Sequence, residues 1–236
     1  MDPQAIQDKN KPTAKALATY AVKQLFFLFL TGLLLFISFG SLQYRMAWVY
    51  LVALMFIVIA NTLAMDKTLI TERSKLQKGT KKWDIALSVY VAILGPFSVL
   101  LISGMDQRFG WSSDMPLWVS LCALAVFLLG SSIATWAMGA NKFFASTVRI
   151  QDDRAQDVVC TGPYRFIRHP GYLGGIIAHL ATPLILGSYY ALLVSICVAL
   201  AFVLRTKLED KVLLDELPGY CSYAKKVRYR LFYALW

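Results

Sequence analysis

Long apolar runs recur along this chain, and they constrain its fold more than any other feature. A helix needs about 20 apolar residues to cross the hydrocarbon core of a bilayer. Runs of about this length occur at residues 20–39, 46–64, 85–102, 117–138, 170–186 and 189–204. In addition, 58% of the 236 residues are hydrophobic, above the about 45–50% that is usual for a soluble domain. The sequence therefore predicts an all-α, polytopic integral membrane protein with about six transmembrane helices.

The basic residues predict how these spans are oriented. The loops after the first and third spans hold only Arg45 and Arg108 of the 24 Lys and Arg residues. Because basic loops stay in the cytoplasm, both chain ends and residues 162–175 are predicted to face it. The net charge of +10 then reflects membrane topology, and no nucleic-acid partner is predicted. We expect the inner membrane if the protein is prokaryotic and the endoplasmic reticulum if it is eukaryotic.

Residues 162–175, with the sequence GPYRFIRHPGYLGG, concentrate charged, aromatic and glycine residues. Pro170 suits the first turn of a helix, where its missing N–H is not needed. A helix is predicted to begin there, with its free N–H groups and positive dipole end toward the preceding loop. Gly171 and Gly174 leave the first turn bare, so another group can approach the backbone closely. The other residues of the predicted site are Tyr164, Arg168, His169 and Tyr172.

The last two predicted spans are separated only by residues 187–188, which predicts a tight antiparallel hairpin. Arg205 and Glu209, four residues apart on one helix face, then lie beside the start of the fifth span. A carboxylate there suits an ammonium or a sulfonium, and the helix start with Arg168 suits a carboxylate. These groups predict a zwitterionic, cationic small molecule as ligand. The sequence leaves open whether Asp210 is a solvated acid or part of the site.

His179 is the ionisable residue that lies well inside a predicted span. We interpret it as a structural histidine rather than a substrate contact, because buried polar groups in lipid face the interior of the bundle. The chain has only two histidines, and its cysteines lack ligand spacing, so no metal site is predicted. The cysteines are Cys122, Cys160, Cys197 and Cys221.

RHPGYLG, at residues 168–174, resembles the Arg-His-Pro-x-Tyr-x-Gly signature of membrane-embedded methyltransferases. That family includes isoprenylcysteine carboxyl methyltransferases, phospholipid N-methyltransferases and their prokaryotic relatives, which are the most similar. The tail RTKLEDKVLLDELPGYCSYAKKVRYRL and the upstream segment NKFFASTV also resemble the family pattern. The resemblance divides one membrane domain into a tail with scaffold spans, residues 1–138, and a methyltransferase core, residues 139–236.

The resemblance implies that S-adenosylmethionine binds at the cytoplasmic ends of the last two spans. A lipophilic or prenylated acceptor would reach it from the membrane lipids, with Arg205 and Glu209 as the catalytic residues that orient the reactants. The acidic pair of the family is usually Glu-Glu, whereas this chain has Glu209 followed by Asp210. The implied cofactor-binding residues are Tyr164, Arg168, His169, Pro170, Gly171, Tyr172, Gly174, Glu209 and Tyr220.

Several functions remain alternatives at this point. Methylation of an isoprenylcysteine carboxylate is the function that the resemblance favours, and N-methylation of an aminophospholipid is the nearest alternative. An NADPH-dependent sterol or steroid reductase carries a similar Arg-His-Pro-x-Tyr stretch. A non-enzymatic transporter or scaffold would be expected to place polar groups at the membrane midplane. The sequence predicts neither the identity of the acceptor nor an oligomeric state.

Overall fold

The structure, a computed structural model, describes residues 13–73, 76–233 and 236. Most of the predicted polar N-terminal tail lies outside the described residues, as do Lys75 of the second basic loop and Ala234 and Leu235 of the C-terminal LFYALW. The described part of the chain is helical and contains no β-strand. This confirms the predicted all-α class.

Within the described ranges, five helices are long and apolar enough to cross a membrane. They are α1 (Ala14–Phe39), α2 (Arg45–Ala64), the continuous helix Lys82–Phe109, α6 (Leu117–Ala140) and α8 (Tyr189–Glu216). The continuous helix consists of α4 (Lys82–Val89), a π-helical turn (Tyr90–Leu94) and α5 (Gly95–Phe109). The shorter elements are α3 (Thr68–Glu72), α7 (Pro170–Ile185), α9 (Tyr220–Lys226) and 3₁₀ turns at Asp152–Arg154 and Gly162–Arg165. Helices of this length and composition fit an integral membrane protein.

The predicted fifth span is present as helix α7, but it is short. Its 16 residues extend roughly 24 Å at the usual rise per residue, less than the about 30 Å of a hydrocarbon core. Pro170 fixes its start, and Gly187, at a φ of 75°, turns the chain just after its end. Helix length therefore does not confirm six membrane-crossing helices, and a crossing by α7 stays a prediction.

The third long helix contains the π-helical turn just ahead of Gly95 and Pro96. The Gly95 N–H donates to the carbonyl of Tyr90, five residues earlier, and Pro96 has no N–H to donate. This local widening lets the helix continue past the proline. A Cβ at Gly95 would lie 2.4 Å from Val198 Cγ2, so the bare backbone here is where α5 packs against α8.

Helices α6 and α7 pack with almost no side chain between them. A Cβ at Gly174 would lie 2.4 Å from the Gly130 carbonyl oxygen and 2.6 Å from the Ala134 backbone nitrogen. A Cβ at Gly130 would in turn lie 2.7 Å from Ile177 Cγ2. The small residues of the fourth predicted span thus permit close helix packing.

The bundle has two differently built ends. One end, here called the motif face, carries residues 168–172 and 205–210. The other end, the opposite face, carries the turn at 40–44, the loop at 110–116 and the turn at 187–188. On the opposite face, buried Asp106 accepts hydrogen bonds from the Ser112 backbone N–H (2.6 Å), the Ser112 hydroxyl (2.6 Å) and the Ser188 hydroxyl (2.5 Å).

Candidate active site

The start of α7 and the second half of α8 meet on the motif face, as the predicted hairpin requires. The Tyr172 hydroxyl donates to the Glu209 carboxylate, which links the two helices directly. The His169 and Tyr172 rings are stacked, with an interplanar angle of 1° and centroids 5.8 Å apart. The motif and the acidic residues of the tail, 37 positions apart at this contact, therefore form one cluster.

Asp210 lies at the centre of this cluster and is fully buried. Its Oδ1 is 3.2 Å from His169 Nε2 and accepts from the Tyr220 hydroxyl at 2.9 Å. Its Oδ2 accepts from Arg230 Nε at 2.8 Å and is 3.2 Å from Arg168 Nη2. Of the two possibilities that the sequence left open for Asp210, burial excludes the solvated acid. Asp210 and Arg230 were missing from the predicted site.

Arg205 makes a buried ion pair with Asp84 of α4. Its Nε donates to Asp84 Oδ1 at 2.7 Å, and its Nη2 donates to Asp84 Oδ2 at 3.0 Å. The same Nη2 donates to the Ser146 carbonyl at 2.8 Å. The guanidinium carbon also lies 5.2 Å from the centroid of the Tyr172 ring. Arg205 thus reaches Glu209 through Tyr172, and its ion-pair partner comes from the predicted scaffold spans.

Three buried tyrosines support the cluster from its edges. Asn141 Nδ2 donates to the Tyr164 hydroxyl at 3.2 Å, and the Tyr223 hydroxyl donates to the Tyr164 carbonyl at 2.7 Å. Burial, and to a lesser extent the nearby Asp210 charge, raise the pKa of the Tyr220 phenol. Tyr220 therefore stays protonated and donates its hydrogen bond to Asp210.

The bare first turn of α7 is approached by other parts of the protein. A Cβ at Gly171 would lie 2.6 Å from the Phe144 ring. Gly174, as described above, faces the backbone of α6. Packing alone thus explains glycine at both positions, and their predicted contact with a cofactor stays a prediction. Pro170 is buried at the first position of the helix, as expected.

The backbone ahead of α7 is bound by the C-terminal segment. The Arg168 N–H donates to the Tyr229 carbonyl and the His169 N–H to the Arg230 carbonyl, both at 2.9 Å. These two bonds hold the backbone just ahead of the helix against the C-terminal segment. Arg168 has a different free group: its buried Nε finds no hydrogen-bond partner among the described residues.

His179 is held within its own helix. Its Nδ1 lies 2.8 Å from the Gly175 carbonyl, and its ring centroid lies 5.5 Å from that of Phe202. The Ser195 hydroxyl donates to the His179 carbonyl at 2.9 Å, which ties α8 to α7. These contacts support the predicted structural role.

Sequence reasoning did not place Asp84, Asp210 and Arg230 in the site. The sequence contains a signal for the two aspartates but none for Arg230. Asp84 is a single carboxylate among the lysines at the start of a membrane helix, where an acid is rare enough to indicate a partner. Asp210 follows Glu209 in the acidic pair of the resemblance. Arg230 sits in the spaced basic and aromatic tail, where nothing distinguishes it from Arg228.

Comparison with known proteins finds a family model that matches part of this chain. Residues 123–215 match the model of the isoprenylcysteine carboxyl methyltransferase family, a stretch from α6 to the end of α8. Tyr220 and Arg230 lie beyond it, and Asp84 lies before it.

The chain also resembles the nickel-cobalt-cadmium resistance protein NccN of Alcaligenes xylosoxydans xylosoxydans. It is 25% identical to that protein over 145 residues, which cover 61% of this chain and 60% of the relative. The described residues contain no group of three or more His, Cys, Asp or Glu side chains that could hold a metal ion. The family match over residues 123–215 confirms the resemblance that the motif predicts, to a membrane family of isoprenylcysteine carboxyl methyltransferases.

Proposed function

We propose that this protein transfers a methyl group from S-adenosylmethionine to a lipophilic acceptor in the membrane, most like the carboxylate of an isoprenylcysteine. The observation that carries the proposal is the family match over residues 123–215. That segment includes both the start of α7 and residues 205–210 of α8, where the charged and aromatic side chains converge.

The charged groups of the motif face fit the carboxylate and the cationic groups of this cofactor. The unpartnered Nε of buried Arg168 lies next to the start of α7, and a carboxylate is favoured by both the guanidinium and the helix dipole. Glu209 is half-buried, and its carboxylate suits an ammonium or a sulfonium. When bound, S-adenosylmethionine supplies an electrophilic methyl group on a positively charged sulfur.

The residues of the chain then act mainly by positioning. Asp210 holds Arg168 and His169, and Tyr172 holds one oxygen of Glu209. Methyl transfer is an in-line displacement, so orientation and exclusion of water contribute most to its rate. A carboxylate acceptor needs no general base, whereas an ammonium acceptor must first lose a proton.

We infer that the motif face lies in the cytoplasm and that the acceptor enters from the bilayer. The distribution of basic residues supports this orientation, because the loop at 65–81 and the segment at 141–168 are basic and lie on the motif face. In a variant without native cysteines, Gly79→Cys should be shielded from an impermeant thiol reagent in intact cells, and Ser112→Cys should be labelled. The reverse pattern would invert the orientation.

The reaction is tested with purified protein, radiolabelled S-adenosylmethionine and a panel of acceptors: prenylcysteines, aminophospholipids and a native lipid extract. A product that loses its label in mild base is a methyl ester, as the proposal expects. A base-stable labelled lipid would indicate an N-methylated amine and correct the acceptor. Absence of transfer to every acceptor, together with absence of cofactor binding, would contradict the proposed function.

A further inference from the structure

One carboxylate outside the family match joins three separate parts of the motif face. Asp84, in the first turn of α4, is fully buried. Besides its two hydrogen bonds from Arg205, its Oδ2 accepts from the Val148 N–H at 2.6 Å and from the Ser88 hydroxyl at 2.9 Å. Asp84 therefore connects α8 and the segment ahead of the motif to the third long helix.

These bonds leave Arg205 little freedom. Its planar guanidinium is bound by both oxygens of Asp84, and the carbonyl of Ser146 accepts from it as well. A bidentate pair fixes the orientation of the guanidinium plane as well as its position. In that orientation the group lies over the ring of Tyr172, whose hydroxyl donates to Glu209.

We propose that Asp84 is a positioning residue for the methyl transfer, acting on Glu209 through Arg205 and Tyr172. The inference rests on the proposed function, in which Glu209 meets a reactant. Asp84 lies 39 positions before the first residue of the family match at 123, so the predicted scaffold half of the chain contributes to the site. A misplacement of about 1 Å in such a chain of contacts is enough to slow a reaction about a hundredfold.

A purely structural pair would behave differently from a positioning pair. If Asp84 and Arg205 only fastened α4 to α8, a variant would lose thermal stability, yet its folded fraction would turn over normally. If they position Glu209, kcat falls at temperatures where the variant is folded, while cofactor affinity changes little. Comparing the loss of kcat in the folded protein with the loss of thermal stability therefore separates the two roles.

The central variant is Asp84→Asn, which keeps the size of the side chain and removes its charge. We expect kcat to fall by about tenfold to a hundredfold, with the Kd for S-adenosylhomocysteine within about threefold of wild type. Asp84→Glu, which restores the charge, should recover part of the lost kcat. The control is Lys81→Ala, three residues away, which removes the part-exposed pair with Glu216 at 2.6 Å and should leave kcat unchanged.

Arg205→Lys keeps the test decisive even if Asp84→Asn fails to fold. The lysine retains a positive charge for Asp84 but loses the bidentate geometry, so we expect a loss of kcat of similar size. Where both single variants fold, the double variant should be no slower than the slower single variant, within about threefold, because Asp84 acts through Arg205. A double variant whose loss of kcat equals the product of the two single-variant losses would overturn the proposed path.

The wild-type measurements separate failure of this inference from failure of the proposed function. Wild type that binds S-adenosylhomocysteine and transfers methyl groups, together with folded Asp84→Asn or Arg205→Lys at the wild-type kcat, would overturn only the role of Asp84. Wild type that neither binds nor transfers would overturn both.

Discussion

The two ends of the bundle each contain buried aspartates, but those aspartates are held in different ways. On the motif face, Asp84 and Asp210 are paired with arginines. On the opposite face, Asp106 accepts from two serine hydroxyls and a backbone N–H. A carboxylate held by hydroxyls can fasten loops without any strong charge nearby, whereas arginine–carboxylate clusters orient charged groups. The proposed function expects this difference, with the motif face as the binding site and the opposite face in a structural role.

The largest expected effect is the loss of methyl-transfer turnover when charged residues of the motif face are replaced. Arg205→Ala and Glu209→Gln should each lower methyl transfer by the folded protein by about a hundredfold or more. Arg205→Ala also leaves buried Asp84 without its partner, which should cost about 3–5 kcal/mol of stability. If these residues contributed only to stability, the folded fraction of each variant would keep nearly all of its activity. The measurement is the radiolabel assay on the acceptor that wild type uses best. Near wild-type turnover by both variants would remove these residues from the reaction.

The next effect compares the aspartates themselves. Asp210→Asn leaves buried Arg168 without its carboxylate partner, and breaking a buried ion pair costs about 3–5 kcal/mol. We expect thermal stability to fall. We also expect the Kd for S-adenosylhomocysteine to rise by about tenfold or more, which corresponds to a loss of about 1.4 kcal/mol or more of binding free energy.

Asp106→Asn is the matched change on the opposite face. It weakens hydrogen bonds to neutral donors and should cost about 1–3 kcal/mol of stability, with unchanged affinity and turnover of the folded protein. Isothermal titration and thermal melting of both variants measure this contrast. Equal losses of affinity in the two variants would show that the ends of the bundle do not differ in the way described.

The smallest effect concerns packing at the start of α7. Gly174→Ala places a methyl group 2.4 Å from a backbone oxygen of α6, and overpacking of this kind costs about 1–3 kcal/mol. Gly32→Ala is the control, because its Cβ would be in ordinary contact with the Leu51 side chain, 3.4 Å from Cδ1 and 3.9 Å from Cδ2. Thermal melting should show Gly174→Ala less stable than wild type and Gly32→Ala close to it. A reversed order would mean that α6 and α7 do not pack as described.

Local sequence patterns predicted much of the fold. Proline at the first helical position fixed the start of α7, and the two-residue turn after it predicted the hairpin that joins Tyr172 to Glu209. Apolar length was less informative for α7, because a helix surrounded by α6 and α8 does not need to match the bilayer by itself.

The site was predictable only where its residues lie close together in sequence. His169 and Tyr172 stand in one motif, and Arg205 and Glu209 stand on one helix face. Asp84 is 121 positions from Arg205, and Arg230 reaches Asp210 only because the tail folds back across the motif. Periodicity and spacing carry no information about such contacts, since helix packing decides which charges are buried together.

The central claim, that the motif face binds S-adenosylmethionine, is tested most directly by titrating the purified protein with S-adenosylhomocysteine and, separately, with NADPH. Wild type should show a saturable rise in melting temperature with S-adenosylhomocysteine only, because a ligand that binds the native state stabilises it. The rise should be much smaller in Asp210→Asn and unchanged in Asp106→Asn. A rise with NADPH and none with S-adenosylhomocysteine would contradict the claim and favour a reductase.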